Sequence, residues 1–306
     1  MALAPKRILC IAGELSGDAL LAPAVKSLRG LGYQCVGVGG PKSVEAGLTR
    51  IDENHILNAG GLVEIIDRVP GFLRLFRRLA VELSSCEGLV VADSPEIGIR
   101  LLRRAKRSAI KTMYLAPPQA WAWRPWRHRE FATVDWVGCP FRFEADWYRS
   151  RGVPATWMGH PLEEATVLPP AGKPGIALFP GSREGSIKRL LPRMYEAVIA
   201  FRDRGGVGDV HLSTAPGVPR HLFDEITERF NLRVVYHETV QEALAQAPVA
   251  VAGAGTVALE IVARGRPVVI LARMHPLTAA VARRLVSVDH IGLPNLLLER
   301  RVFPEF

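Results

Sequence analysis

The feature that most constrains this chain is a recurring unit: a short apolar run, then a polar or glycine-rich stretch, then a segment with helical periodicity. Ile8–Ala12 opens the series, leading into Gly13-Glu14-Leu15-Ser16-Gly17-Asp18 and a helical pattern from Ala19 to Arg29 that stops at Gly30. Further apolar runs at Gln34–Val38, Gly88–Ala92, Lys111–Leu115 and Val134–Cys139 are separated by helical or loop segments. Strands that alternate with helices form a parallel sheet, so the first half predicts an α/β domain.

A stretch rich in proline and glycine, Val167–Gly175, interrupts the pattern near the chain midpoint, as an interdomain linker does. Beyond it the alternation resumes, with strands expected at Ile176–Phe179, Asp209–Ser213, Leu232–Tyr236, Val249–Val251 and Pro267–Leu271. A chain of 306 residues exceeds what one hydrophobic core usually spans, so two Rossmann-like domains in tandem are expected, 1–166 and 167–306. Open α/β sheets bind ligands beyond the carboxyl ends of their strands, which predicts two parallel sheets facing a central cleft. The loops expected to line it are Gly13–Asp18, Asp93–Glu96, Pro180–Glu184 and Gly253–Thr256.

Composition narrows the classes of function. With 48% hydrophobic and 23% charged residues the chain is an ordered globular protein. Its net charge of +9 favours nucleic acid, phosphorylated substrates or an anionic membrane face, without choosing among them. Cys10, Cys35, Cys86 and Cys139 lie far apart, with no CxxC pair and no nearby histidine cluster, which argues against a disulfide framework or a zinc site. A reducing cytoplasm fits. The run Ile8–Gly13 is too short for the apolar core of a signal peptide. The longest uncharged stretch, Ala243–Leu259, is broken by Gln246, Pro248 and two glycines, so any membrane contact is expected to be peripheral.

Four segments carry candidate chemistry. Pro180-Gly181-Ser182-Arg183 follows an expected strand, and its arginine can fork onto the oxygens of a diphosphate; an ordinary strand-to-helix turn reads the same way. Ala252-Gly253-Ala254-Gly255-Thr256 leads into a helix whose first N–H groups can cradle an anion, with Thr256 placed to cap it. Glu260, one turn on, can accept hydrogen bonds from ribose hydroxyls, although tight packing with a solvated glutamate is the plainer explanation. Glu14 and Asp93 each follow a strand, and a reaction in which a hydroxyl attacks needs one such carboxylate as base. Asp18 and Asp93 equally suit helix caps or turns.

Two further segments are basic and aromatic. Phe72–Leu79 puts Phe72, Phe76 and Leu79 on one helical face beside Arg74, Arg77 and Arg78, a pattern shared by helices that lie on anionic bilayers and by plain surface helices. Trp121, Trp123 and Trp126 alternate with Arg124, Arg127 and Arg129, which suits base stacking, a membrane interface or simple packing. No helix-turn-helix, RNA-binding signature or long basic tail accompanies them, so nucleic acid is not an expected partner.

Taken in order, these segments resemble the lipid-A-disaccharide synthases. Ala12-Gly13-Glu14-Leu15-Ser16-Gly17-Asp18 is close to that family's AGExSGD opening. Gly61-Leu62-Val63-Glu64, Asp93-Ser94-Pro95-Glu96, Gln119-Ala120-Trp121-Ala122-Trp123-Arg124, Phe143-Glu144, Gly152-Val153-Pro154 and Gly159-His160-Pro161-Leu162 follow in family order. Leu178-Phe179-Pro180-Gly181-Ser182-Arg183, Gly255-Thr256-Val257-Ala258-Leu259-Glu260 and Leu293-Pro294-Asn295-Leu296-Leu297 continue it. The departures are an added residue in Ala116-Pro117-Pro118, an extended Phe141-Arg142-Phe143-Glu144, and Ser186 where a glutamate is usual. The chain also stops at Phe306, short of the family's C-terminal helices.

The resemblance implies a GT-B architecture and an inverting transfer from UDP-2,3-diacylglucosamine to 2,3-diacylglucosamine 1-phosphate, giving a β-1,6 linkage without a metal or cofactor. It implies a cytoplasmic enzyme peripheral on the inner membrane, with the first domain taking the lipid acceptor and the second the UDP-sugar. Asp93 matches the base and Glu14 a second acidic group. Gly181, Ser182, Arg183, Gly255, Thr256, Glu260 and Asn295 match the nucleotide-sugar side, and Phe72, Arg74, Phe76, Arg77 and Arg78 then suit an acceptor or membrane contact. The alternatives are a relative that binds UDP-sugar or lipid without turnover, and another GT-B enzyme such as a UDP-GlcNAc epimerase.

Overall fold

The computed structural model describes residues 6–13, 15–51, 62–215, 218–273 and 289–306. Two compact units divide the chain, the first running to Pro161 and the second beginning at Leu162. The proline-rich stretch after Val167 is docked on the second unit. The Leu168 N–H donates to the Arg264 carbonyl at 3.0 Å, and the buried Arg266 guanidinium donates to the carbonyls of Leu244, Leu168 and Pro169.

In the first unit seven parallel strands are ordered β3-β2-β1-β4-β5-β6-β7. They are β1 (Arg7–Ala12), β2 (Gln34–Val38), β3 (Thr49–Arg50), β4 (Gly88–Ala92), β5 (Lys111–Leu115), β6 (Trp136–Cys139) and β7 (Ala155–Trp157). Helices α1 (Leu15–Gly30), α2 (Pro41–Glu45), α3 (Leu62–Leu83), α4 (Pro95–Arg107) and α5 (Arg142–Arg149) connect them. Side chains alternate across a strand, and here both faces are covered. Ile8, Cys10 and Ala12 pack with Leu21 and Val25 of α1, whereas Leu9 and Ile11 pack with Leu75 and Leu79 of α3 and Leu101 of α4. This explains why the central strands read as unbroken apolar runs.

The second unit repeats the plan with five parallel strands ordered β10-β9-β8-β11-β12. They are β8 (Gly175–Phe179), β9 (Asp209–Ser213), β10 (Val234–His237), β11 (Val249–Gly253) and β12 (Val268–Leu271). Its helices are α6 (Glu184–Asp203), α7 (Arg220–Glu228), α8 (Val240–Gln246), α9 (Thr256–Ala263) and α10 (Leu293–Leu297). Leu178 faces Met194, Tyr195 and Phe223 on one side of the sheet. Ala177 and Phe179 face Leu244 and Ile261 on the other.

Both strand orders contain a point where the chain leaves a central strand in opposite directions, between β1 and β4 in one sheet and between β8 and β11 in the other. Loops at such a switch point splay apart and open a crevice at the carboxyl edge of the sheet.

Candidate functional site

At the first switch point the β1 and β4 loops meet around Asp93. The Asp93 backbone is left-handed, with φ of 44°, sparsely populated for a residue with a side chain. Its N–H donates to the Leu115 carbonyl at 3.1 Å, and the next N–H, of Ser94, donates to the buried Tyr114 hydroxyl at 3.2 Å. These bonds hold the turn and leave the carboxylate half-buried, where Oδ2 accepts a 2.7 Å bond from the Ser16 hydroxyl. Glycine is needed on the facing segment: a Cβ on Gly17 would stand 2.7 Å from the Ala92 carbonyl oxygen, and one on Gly13 would stand 2.8 Å from Ser94 Oγ. Ser16 was not singled out from sequence as a partner of Asp93, although it lies inside the same motif. Glu14 lies outside the described residues.

Asp18, in the same motif, has a different task. It is almost fully buried and accepts from the N–H groups of Gly40 at 2.8 Å, Ser43 at 3.0 Å and Lys42 at 3.0 Å. It therefore caps α2, a helix other than its own, and fastens α1 to the loop after β2.

The loop after β5 starts beside Asp93 and carries the tryptophan cluster. Trp121 is buried, its indole N–H donating to Glu144 Oε1 at 3.0 Å and its ring meeting Phe143 edge-on at 4.8 Å. The Tyr148 hydroxyl donates to the Pro118 carbonyl at 2.6 Å. Trp123 and Trp126 are exposed, and the Arg124 guanidinium lies 4.2 Å from the Trp123 ring centroid. Burial pushes the Glu144 carboxyl up to about 8, with the nearby charge of Asp93 adding to the effect against the Trp121 and Phe141 hydrogen bonds. Glu144 was legible only as part of a motif. A glutamate in the first turn of a helix ordinarily reads as a solvated partner of the helix dipole.

On α3, Phe72 and Phe76 are partly buried against the first unit's core, and the Arg100 guanidinium sits 5.6 Å from the Phe72 ring centroid. Arg74 and Arg77 are exposed, and Arg78 Nη2 donates to the Ile51 carbonyl at 2.6 Å. The aromatic residues thus face inward and the arginines form an outer basic row. Among the described residues no helix is long and apolar enough to cross a membrane.

At the second switch point the loops after β8 and β11 lie side by side, since a Cβ on Gly253 would stand 3.8 Å from the Pro180 carbonyl oxygen. Gly181 has φ of 107°, which turns the chain so that Ser182 and Arg183 emerge exposed ahead of α6. Gly255 is the N-cap of α9 and no side chain caps it, so Thr256 is the first helical residue and not the cap that sequence suggested. Gly255 and Thr256 are exposed at this helix start, the end that attracts anions. Glu260 Oε1 accepts from Arg264 Nε at 3.1 Å and Nη2 at 3.0 Å, an i,i+4 pair that orients the carboxylate.

Asn295 is fully buried, and its amide is engaged within the second unit. It donates to the Phe303 carbonyl at 2.8 Å and to Glu305 Oε1 at 2.7 Å, and accepts from the Val302 and Phe303 N–H groups at 2.9 Å. These bonds hold residues 304–306 alongside β12, where Ile270 N–H donates to the Pro304 carbonyl at 2.8 Å and Phe306 N–H to the Ile270 carbonyl at 2.9 Å. A cavity of about 230 Å³ opens where β9 and β10 end, lined by Thr214, Val218, Arg220, Tyr236, His237 and Glu238. Arg220 stacks on Tyr236, and His211 Nδ1 lies 3.0 Å from His237 Nε2. Burial holds both imidazoles below their ordinary value.

The family model described as LpxB, lipid-A-disaccharide synthetase, matches residues 8–306. The lipid-A-disaccharide synthase of Anaeromyxobacter dehalogenans (strain 2CP-C) is 34% identical over 319 aligned residues, covering 98% of this chain and 83% of the relative. That of Geobacter sulfurreducens is 33% identical, with 98% of this chain and 83% of the relative covered. Among solved structures, a UDP-GlcNAc 2-epimerase from Neisseria meningitidis superposes with a TM-score of 0.61 at 12% identity, covering 96% of this chain and 90% of the other. A calicheamicin glycosyltransferase does so with a TM-score of 0.56 at 14% identity, covering 99% and 86%. At such identities these last two are likenesses of fold, and the fold they share with this chain is GT-B.

Proposed function

The chain belongs to the lipid-A-disaccharide synthetase family and is a hexosyltransferase of lipid A biosynthesis; on that premise we propose its substrates and the work of its residues. The donor is UDP-2,3-diacylglucosamine and the acceptor 2,3-diacylglucosamine 1-phosphate. The 6-hydroxyl of the acceptor attacks the anomeric carbon, the bond from that carbon to the diphosphate oxygen breaks, and UDP leaves with the electron pair. One β-1,6 bond forms with inversion. Asp93 takes the hydroxyl proton, and Glu14 is a second acidic group at the reacting centre.

The observation that carries this reading is the placing of Asp93 at the switch point, half-buried, in a left-handed turn, with Ser16 on one oxygen. A carboxylate oriented in this way and still accessible has what a general base needs, which is reach to the proton and a fixed direction.

The nucleotide side falls to the second unit, which begins at Leu162. Arg183 forks onto the diphosphate with Gly181 and Ser182 shaping the turn beneath it, and Gly255 and Thr256 offer N–H groups at the start of α9. Glu260, oriented by Arg264, accepts from the ribose hydroxyls, and Asn295 shapes the neighbouring loop. The first unit takes the lipid acceptor, with Arg74, Arg77 and Arg78 on the outer face of α3 supporting contact with the acceptor phosphate or an anionic inner membrane from the cytoplasmic side, while Phe72 and Phe76 pack inward and anchor the helix.

Asp93→Asn keeps the shape of the side chain and removes the base, so UDP release from the two acylated sugars falls by about a hundredfold or more, with the thermal melt little changed. Activity within about twofold of wild type would exclude Asp93 as the base.

A further inference from the structure

Glu144, in the first turn of α5, is 2% exposed. Its Oε1 accepts the Trp121 indole N–H, whereas Oε2 has no hydrogen-bond partner among the described residues. The groups that face it are the Trp121 indole on the β5 loop, the backbone at Phe141, Asp93 on the β4 loop, Cys139 at the end of β6 and Tyr148 on its own helix. None of these is a cation. A carboxylate ion there would be buried beside a second negative charge, a situation that costs several kcal/mol, so the neutral acid persists at pH 7.

Helix α5 holds the β5 loop by hydrogen bonds from Trp121 to Glu144 and from Tyr148 to Pro118, and by the edge-on contact of Phe143 with the Trp121 ring. That loop begins at Ala116, directly after Leu115, whose carbonyl accepts the Asp93 N–H. Ala116 is itself left-handed, with φ of 51°, so the loop leaves β5 in a conformation that needs support from outside. We infer that Glu144 is a positioning residue: as a neutral acid it pins the Ala116–Arg124 loop onto α5 beside Asp93, and its ionisation in alkaline solution releases that loop. The Trp121 N–H bonds the ion as well as the acid, but burial has the larger effect on Glu144, and the loop that lies against α5 through Trp121 and Pro118 is the part whose displacement brings water to the new charge. The link to turnover rests on the proposed role of Asp93; the link to the loop does not.

The full chain with nitrogen-labelled tryptophan, titrated from about pH 6 to about pH 9.5, tests this, W121F assigning the Trp121 indole signal. The Trp121 and Trp123 signals are expected to shift together with a midpoint near 8 in wild type and to stay fixed in E144Q, which mimics the neutral acid. UDP release, each protein normalised to its own rate at pH 7, is expected to be about tenfold lower for wild type than for E144Q one pH unit above that midpoint. A Trp121 signal that does not titrate in wild type, or titrates alike in both proteins, overturns the inference whatever the activity. So does an indole titration accompanied by superimposable rate profiles. Absence of UDP release at every pH instead sinks the proposed reaction, leaving the indole titration to decide the loop.

Discussion

Asp18 faces three backbone N–H groups in a closed pocket, and Asp93 faces one hydroxyl at an open edge. A carboxylate closed in by amides is a structural cap, whereas one that is only half-buried at the edge of the sheet can take a proton. Asp18→Ala leaves the N–H groups of Gly40, Lys42 and Ser43 without that acceptor and should cost about 2–4 kcal/mol, read as a lowered urea midpoint. Glu144 gives a pH dependence of definite sign. Its ordinary value of 4.5 is raised to about 8 on folding, so between these values the unfolded chain has released a proton that the folded chain keeps. Stability therefore falls as pH rises from 4.5 to about 8 and levels off above. The drop is on the order of a few kcal/mol, and E144Q should remove it from a series of urea melts across that range.

Between elements, the close approach of α1 to the end of β4 depends on Gly17. Gly17→Ala places a methyl against the Ala92 carbonyl and Asp93 Cβ, which should cost about 1–3 kcal/mol and lower UDP release further by turning the Asp93 carboxylate. Gly30→Ala, on the same helix with nothing within 4 Å of its Cβ, is the control and should be near neutral in both assays. The central strand β4 was legible residue for residue because both its faces are covered and its apolar run is continuous. The edge strands β3 and β7 were not, since their few residues are mostly exposed and leave no pattern. The β6 run was expected from Val134 but pairing starts at Trp136, because the Asp135 carboxylate turns aside to accept the Thr112 N–H and hydroxyl. The switch-point loops could be found from sequence because a loop that approaches another backbone needs glycine. The inward turn of Phe72 and Phe76 was legible as the plain surface-helix reading of the α3 pattern, with its apolar face in the core. The burial of Glu144 was not, because it depends on which neighbour covers the residue, a property of tertiary packing.

At the scale of the whole molecule, one plan is used twice with opposite chemistry at its tips. The first sheet presents an aspartate at its switch point, and the second presents arginine, glycine and a helix start. That division matches a reaction in which one partner gives up a proton and the other departs as an anion, and the net charge of +9 suits two phosphorylated substrates. The most direct measurement is a product analysis by mass spectrometry after incubating the intact chain with UDP-2,3-diacylglucosamine and 2,3-diacylglucosamine 1-phosphate. The account predicts the disaccharide 1-phosphate and UDP in equal amounts, both lost in Asp93→Asn. A folded preparation that binds UDP yet yields no disaccharide, or that releases UDP without joining the sugars, would contradict it.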